Sequence, residues 1–219
     1  MRGLLVAVVL AAAACSQRPR NVFTVGLLGP VSLRMTAEAG RLGLTIADHA
    51  PQGTAVVLAA TPLKNGSGEV MSDCATLRFL TARAIAEGSE GVFLRLPPTS
   101  ADNDLLDYTE EWQAATRVVR ELTSMRPILE GGDLAAVPFA VPEGIEHRAW
   151  TFHGRRYLLL VNASDAPLPL DEMDLTPYRA LFAVRSDARQ LLGTCGSARC
   201  LAPAGVLWLE GRLLPEILP

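Results

Sequence analysis

The stretch from residue 54 to residue 98 constrains the fold more than any other part of the sequence. It contains an apolar run TAVVLAATPL, a polar loop KNGSGEVMSD, a helix-forming run CATLRFLTARAIAEG and a second apolar run GVFLRLPP. Both apolar runs are short and nearly unbroken rather than alternating, which is typical of buried parallel strands. The order strand, loop, helix, strand therefore predicts a βαβ unit.

Flanking segments extend this unit into an α/β domain over residues 22–132. Residues 22–28 predict a strand, residues 32–42 a helix and residues 44–47 a short strand. A second amphipathic helix is predicted from apolar residues at alternating spacings of three and four: Leu105, Tyr108, Trp112, Ala115, Val119 and Leu122. The turn residues at 130–133 predict the end of this domain.

Residues 133–219 have a different pattern, with short strands separated by turns. The segment HRAWTFHGRRYLLLVNAS indicates a hairpin around Gly154-Arg155, in which Trp150 and Phe152 share one face. Further short strands are predicted near residues 168–170, 180–184, 190–192 and 206–209. The predicted fold class is thus α/β followed by all-β, and the second domain is expected to be a small antiparallel β-sandwich.

Composition limits the classes of partner. The chain has 219 residues, of which 49% are hydrophobic and 20% charged, and this is enough to bury a core. Its net charge is -3 and basic residues do not cluster in the sequence. A polyanion-binding footprint is therefore not indicated, and nucleic acid is not an expected partner.

The first fifteen residues carry an export signal. Met1 and Arg2 form a short basic region, residues 4–11 an apolar run too short to span a bilayer, and residues 12–14 a small-residue cleavage site before Cys15. This arrangement resembles a bacterial lipoprotein signal peptide, which implies that Cys15 is lipidated and anchors the protein to a membrane. The alternative is an ordinary secretory peptide cut after Ala14. In the lipoprotein reading, Ser16 implies sorting to the outer membrane, facing the periplasm, and residues 16–21 form a tether.

Export determines how the other cysteines are interpreted. Cys195 and Cys200 lie in the loop-like segment GTCGSARC, where an oxidising compartment favours a disulfide over a metal site or free thiols. Cys74 is expected to be a buried free thiol. His147 and His153 lack a third ligand nearby, so we expect them at the surface, and the sequence predicts neither a metal nor a cofactor.

The order of parts is similar to the C-terminal portion of TIM-barrel glycoside hydrolases that carry a C-terminal β-sandwich. The resemblance covers most of the mature chain and is carried by AIAEGSEGVFLRLPP, GRRYLLLVNAS and LAPAGVLWLE. It implies a partial (β/α) barrel-like parallel sheet layer. It also implies catalytic acids at strand ends, yet the strand that would carry one ends AATPLKN, without Asp or Glu. The residues before Thr54 are too few for a whole barrel.

Candidate ligand-binding residues follow the two strands of the βαβ unit, where open α/β sheets bind ligands. They are Thr61, Lys64 and Asn65 after the first strand, with Arg95, Asp102, Asn103 and Asp104 at and after the second. Asp102 or Asp104 is equally suited to capping the next helix. A calcium loop is disfavoured because Leu106 stands at the next ligand position. His49 has no accompanying nucleophile motif that would make it a catalytic base.

These observations lead to a principal hypothesis and two alternatives. The principal one is a non-catalytic, membrane-anchored lipoprotein that binds an oligosaccharide or cell-wall glycan. The first alternative is a glycoside hydrolase fragment that becomes active with a partner chain, or with acids such as Glu69 or Glu130. The second is a purely structural lipoprotein.

Overall fold

The structure is a computed structural model that describes residues 22–29, 31, 33–58, 73–95, 109–171, 173–175, 177–181, 192–195 and 198–212. Backbone alone is described at residues 58, 73, 109–111, 192–195 and 198. In these parts of the chain, no helix is both long and apolar enough to cross a membrane.

The first part of the chain forms a four-stranded parallel sheet in the order β2-β1-β4-β3. This confirms the predicted βαβ unit and parallel sheet layer. The order differs from a barrel, in which strands consecutive in the chain are neighbours, because β4 lies between β1 and β3. The strands are β1 (Thr24–Leu28), β2 (Thr45–Ala47), β3 (Thr54–Leu58) and β4 (Gly91–Arg95).

The connection from β2 to β3 runs from one edge of this sheet to the other. Ala47 lies level with Leu28 at the end of β1, whereas Thr54 lies level with Gly91 at the start of β4. These corners are about 20 Å apart at ordinary strand spacings, and the chain from Ala47 to Thr54 spans at most about 24 Å. Residues 48–53, which we call the strap, must therefore cross a face of the sheet almost directly.

The helices occupy one face of the parallel sheet, so the strap crosses the other. Side chains of α1 (Leu33–Leu42), α2 (Asp73–Ala86) and α3 (Thr109–Gly131) share one core with Val25, Leu27 and Leu94. Phe93 points to the opposite face and is nevertheless fully buried. Such burial is consistent with a strap over that face.

Helix α2 is buried on more than one side. It ends at Ala86, and Gly88 follows with a φ of 106°, in the left-handed region. Ser89 N–H donates to Ala84 O. It contacts β3 and β4 of the parallel sheet as well as β6, β7 and β12 of a second sheet. Its buried side chains are Thr76, Leu77, Phe79, Thr81, Ala82, Ala84 and Ile85.

Helix α3 continues past Leu122, the last residue of the predicted stripe, through Pro127 to Gly131. An internal proline removes a helix hydrogen bond and costs about 3 kcal/mol. Burial of Met125 and Ile128 near the proline offsets this cost. The predicted stripe is confirmed where it is described, because Ala115, Val119 and Leu122 are buried.

The second part of the chain forms two antiparallel sheets, as predicted. The five-stranded sheet has the order β5-β6-β7-β12-β9 and the three-stranded sheet the order β10-β11-β8. Strands β5 and β11 were not predicted. The strands are β5 (Asp133–Leu134), β6 (Ile145–Phe152), β7 (Arg155–Asn162), β8 (Leu168–Pro169), β9 (Tyr178–Leu181), β10 (Leu192–Cys195), β11 (Ala198–Leu201) and β12 (Val206–Arg212).

Alternation along the five-stranded sheet gives it two apolar faces. Leu158 and Leu160 join a core with Leu201 of the three-stranded sheet, whereas Tyr157, Leu159 and Val161 join the helices. Trp150 and Trp208 are buried and stack on the helix side, with ring centroids 5.9 Å apart. The β6–β7 turn lies at His153-Gly154, and both have positive φ.

The helices therefore lie between two sheets. One apolar core joins the parallel sheet, the helices and the helix-facing side of the five-stranded sheet. The domain boundary at residue 132 stays a prediction, although Gly132 does follow the end of α3 and its N–H donates to Ile128 O.

Replacement of Gly26 by alanine tests the packing within the parallel sheet. A Cβ at Gly26 would lie 2.5 Å from Thr45 O and would overlap the Phe93 ring. We expect Gly26→Ala to lower the free energy of unfolding by about 1–3 kcal/mol or more, measured by urea denaturation. Gly40→Ala is the control, because a Cβ there meets nothing within 4 Å and alanine favours a helix by about 1 kcal/mol. Equal stability of Gly26→Ala and the original protein would contradict this packing.

Candidate functional site

All four parallel strands end at one edge of their sheet. Leu28, at the end of β1, is in register with Ala47 of β2 and with Arg95 of β4, and Leu58 of β3 is in register with Arg95. The chain therefore leaves every strand at this edge, which we call the C-terminal edge. Open α/β sheets bind ligands at this position.

Of the predicted ligand-binding residues, the structure describes Arg95. Its side chain is exposed at the end of β4, on the sheet face opposite the helices. Because β3 and β4 are adjacent and parallel, the segments that follow them begin side by side. The remaining candidates lie outside the described residues, and their convergence with Arg95 stays a prediction: Thr61, Lys64, Asn65, Asp102, Asn103 and Asp104.

Two further polar residues at the C-terminal edge were not chosen from the sequence. Asp48 and His49 follow the last residue of β2 and are both exposed. Ala47 and Arg95 flank Leu28 on either side, so two strand spacings, about 10 Å, separate their Cα atoms. The order β2-β1-β4 thus brings a carboxylate, an imidazole and a guanidinium to one edge. Such groups can donate and accept hydrogen bonds to a polyhydroxylated ligand.

The opposite edge of the parallel sheet holds a cavity of about 40 Å³ instead of a cleft. Arg148 of β6 lines it together with Glu90, and its Nη1 donates to Ile85 O at 3.0 Å. The guanidinium carbon lies 5.6 Å from the ring centroid of Trp150. Burial lowers the pKa of Arg148, and the charge of Glu90 partly opposes this. The cavity can hold water but not a sugar, and the Arg148 hydrogen bond joins β6 to α2.

A larger cavity of about 610 Å³ lies between the two antiparallel sheets. Its walls include the core residues Leu207 and Leu209, and its rim carries Arg199, whose backbone N–H donates to Asp171 Oδ1 at 3.0 Å. The volume is in the range of small-molecule sites. Asp171 and Tyr178 also line it, so the cavity presents polar and apolar surface in similar amounts.

Glu210 is a buried acid on the helix-facing side of the five-stranded sheet, with 7% of its surface exposed. Arg155 Nη1 donates to Oε1 at 2.5 Å, and Arg179 donates to Oε2 through Nε at 2.6 Å and also through Nη2. The Tyr157 hydroxyl donates to Oε1 at 3.3 Å. Burial raises the pKa of Glu210, but the hydrogen bonds and charges of Arg179 and Arg155 outweigh burial and lower it below its usual value.

The cysteine and metal predictions have different outcomes. Cys74 is not part of a disulfide, as predicted, but it is half-buried rather than buried. Cys200 is buried and disulfide-bonded, but the side chain of Cys195 lies outside the described side chains, so the Cys195–Cys200 pairing stays a prediction. No group of three or more His, Cys, Asp or Glu side chains suited to a metal occurs in the described residues.

Comparison with known proteins gives a distant likeness in structure. No protein-family model and no curated protein matches the chain. Solved structures with which it shares similarity include Eubacterium rectale Amy13B, at 11% identity and a TM-score of 0.44, over 74% of this chain and 39% of that one. A GH30 endoxylanase from Clostridium papyrosolvens matches at 8% identity and a TM-score of 0.39, over 86% of this chain and 49% of the enzyme.

A third match is an α-amylase from Geobacillus thermoleovorans, at 10% identity and a TM-score of 0.38, over 87% of this chain and 53% of the amylase. The chain thus spans about half or less of the length of these proteins. The chain therefore has a distant, partial structural similarity to glycoside hydrolases with TIM barrels. With every one of these TM-scores below 0.5, the likeness assigns no activity and no residue role to the chain.

The environment of Glu210 predicts a defined pH dependence of stability. A lowered folded pKa means that the carboxylate contributes its stability fully above the unfolded pKa, about 4.3, and loses it as pH falls through the folded pKa. We expect Glu210→Gln to lower the free energy of unfolding at pH 7 by about 1–2 kcal/mol, since both arginines are half exposed or more. Urea denaturation from pH 7 to pH 3 should show this difference shrinking below about pH 4.

Glu87→Gln is a matched control, because Glu87 is an exposed partner of Arg83 on one helix turn. Its effect should remain within a few tenths of a kcal/mol across the same range. A difference for Glu210→Gln that is independent of pH would contradict the lowered pKa.

Proposed function

We propose that the protein is an exported, lipid-anchored envelope protein that binds an oligosaccharide or cell-wall glycan at the C-terminal edge without hydrolysing it. The observation that carries this proposal is the common edge at which Arg95, Asp48 and His49 follow parallel strands in register. Exposed polar groups at such an edge are typical of ligand binding in open α/β sheets.

The same edge supports binding rather than hydrolysis. Glycoside hydrolysis by the usual mechanisms needs two carboxyl groups, about 5 Å apart in retaining enzymes and farther apart in inverting ones. Among the described residues, Asp48 is the carboxylate that follows a parallel strand at this edge. The strap also crosses the sheet face that would line the interior of a barrel. The strap favours a surface site over an enclosed catalytic one, whereas Asp102 and Asp104, which are predicted at the same edge, lie outside the described residues.

The alternative is a glycoside hydrolase fragment completed by a partner chain. Of the two acids named for it, Glu130 does not lie at the C-terminal edge. Glu130 lies near the end of α3, where the neighbouring Leu129 lines the small cavity with Phe23 and Glu90 at the start of the parallel strands. It forms an ion pair with Arg126 at 2.7 Å. Glu130 is therefore at the opposite end of the sheet from Arg95. Glu69 lies outside the described residues.

The proposed cellular location is argued from residues 1–21, which lie outside the described residues. The proposal is that Cys15 is lipidated and that Ser16 directs the protein to the outer membrane, where it faces the periplasm. The predicted disulfide is consistent with an oxidising compartment.

Lipidation can be tested directly in a Gram-negative host. We expect the full chain to incorporate labelled fatty acid and to fractionate with the outer membrane. Cys15→Ala should abolish the label, because the acceptor thiol is lost, and Ser16→Asp should move the protein to the inner membrane. Cys74→Ala is the control and should keep both the label and the location. Release of unlabelled original protein after cleavage at Ala14 would instead indicate an ordinary secretory peptide.

Glycan binding can be tested by isothermal titration calorimetry of the purified protein with cell-wall fragments and with maltose- and xylose-based oligosaccharides. We expect saturable binding to at least one class and no release of free sugar. Arg95→Gln should weaken binding about tenfold, since a hydrogen bond to a charged group contributes about 1.5–3 kcal/mol.

Arg120→Gln is the matched control, because Arg120 is exposed on α3, and its affinity should not change. Absence of binding to every class would contradict the glycan proposal. Sugar release would favour the enzymatic alternative over pure binding.

A further inference from the structure

One end of the five-stranded sheet carries more positive than negative charge. We call Arg155, Arg179 and Arg212, with Glu210 among them, the arginine cluster. Arg212 is in register with Arg155, and Arg179 is in register with Glu210. Residues 210 and 212 share a face of β12. The carboxylate therefore contacts two guanidinium groups, and Arg212 belongs to the same face of the sheet.

Glu210 uses few of the donors in this cluster. It accepts one N–H from Arg155 and two from Arg179, whereas each guanidinium offers five. In the described part of the chain, Arg155 and Arg179 have no other side-chain partner, and Arg212 has none. The side chains of Arg155 and Arg179 are 50% and 69% exposed. Unused donors therefore face solvent.

Charge neutralisation of Glu210 does not require this arrangement. A single arginine would balance the carboxylate, yet the cluster keeps a formal surplus of positive charge. The buried carboxylate holds Arg155 and Arg179 in fixed positions. Two guanidinium groups that are already ordered lose less conformational entropy on binding a ligand.

We propose that the arginine cluster binds one oxyanionic group, a phosphate, sulfate or carboxylate, presented by a ligand at the protein surface. The free edges of the guanidinium groups match the paired oxygens of such anions, which arginine binds in a bidentate manner. Glu210 acts as a positioning residue that orients two of the arginines. It does not contact the ligand.

This site is separate from the C-terminal edge. Phe152, in register with Arg155, lies against Gly131 at the end of α3. Arg95 lies at the end of β4, where the chain leaves the sheet before α3 begins. The cluster and the proposed glycan site are therefore at opposite ends of α3, and each can fail without the other.

The test uses the purified protein and three probes: sodium sulfate, sodium phosphate and sodium glucuronate. Each is titrated by calorimetry at an ionic strength held constant with sodium chloride. We expect saturable binding of at least one probe with a single site per chain. Preference for sulfate or phosphate would indicate a tetrahedral anion, and preference for glucuronate a carboxylate carried by an acidic sugar.

Two variants link this binding to the cluster. Arg212→Gln should weaken binding about tenfold while leaving stability unchanged, because its side chain is exposed and has no partner in the described residues. The combined variant Arg155→Gln, Arg179→Gln and Glu210→Gln should abolish binding. It removes all the charges of the inner network but keeps amide groups that can hydrogen-bond, so no buried charge is left without a partner.

Arg120→Gln again serves as the control and should bind like the original protein. Circular dichroism and thermal unfolding establish that each variant is folded. If the combined variant is not folded, Arg212→Gln alone decides the result. Lack of saturable binding for all three probes would overturn the proposal, as would binding that survives these substitutions.

Discussion

The rest of the structure depends on a layer of helices that is packed between two sheets. The ion pair between Arg78 of α2 and Glu121 of α3 lies inside this layer. Arg78 Nε lies 3.0 Å and 2.9 Å from the two carboxylate oxygens, and Nη1 donates to Val206 O of β12 at 3.3 Å. Both side chains are mostly buried. One guanidinium therefore links two helices and a strand of the five-stranded sheet, inside a helical layer that has a sheet on either side.

A helix in such a layer must pack apolar surface against two sheets at once. The parallel sheet covers one side of α2 and the five-stranded sheet covers the other. Little of the helix surface therefore remains for polar side chains in contact with solvent. The five-stranded sheet is in the same position, because the helices bury one of its faces and the three-stranded sheet buries the other. Stability of each layer therefore depends on both of its neighbours.

Much of this arrangement could be predicted from local patterns, and the parts that could not be predicted are long-range. The apolar runs of β3 and β4, the stop at Gly88 and the stripe on α3 are properties of short segments. The continuation of α3 through Pro127 was missed because a proline normally ends a helix, and here tertiary burial outweighed that preference.

The candidate site shows the same difference between local and long-range features. Arg95 was found because it ends a strong strand, whereas Asp48 and His49 follow a three-residue strand whose neighbour is set by the whole sheet. Glu210 was missed because a single acid in an apolar strand gives no sign of its cross-strand arginines.

The strap has a consequence for how the chain folds. Because the chain crosses the sheet between β2 and β3, β1 pairs with β2 on one side and with the distant β4 on the other, where Thr24 lies opposite Gly91. Until β4 is in place, β1 with β2 and β3 with α2 are separate pieces, each with an open strand edge. Contacts so distant in sequence slow folding and prolong the exposure of such edges. A chain that emerges from its N-terminus, during synthesis or through a translocation channel, would keep both pieces unjoined until residue 95 had emerged.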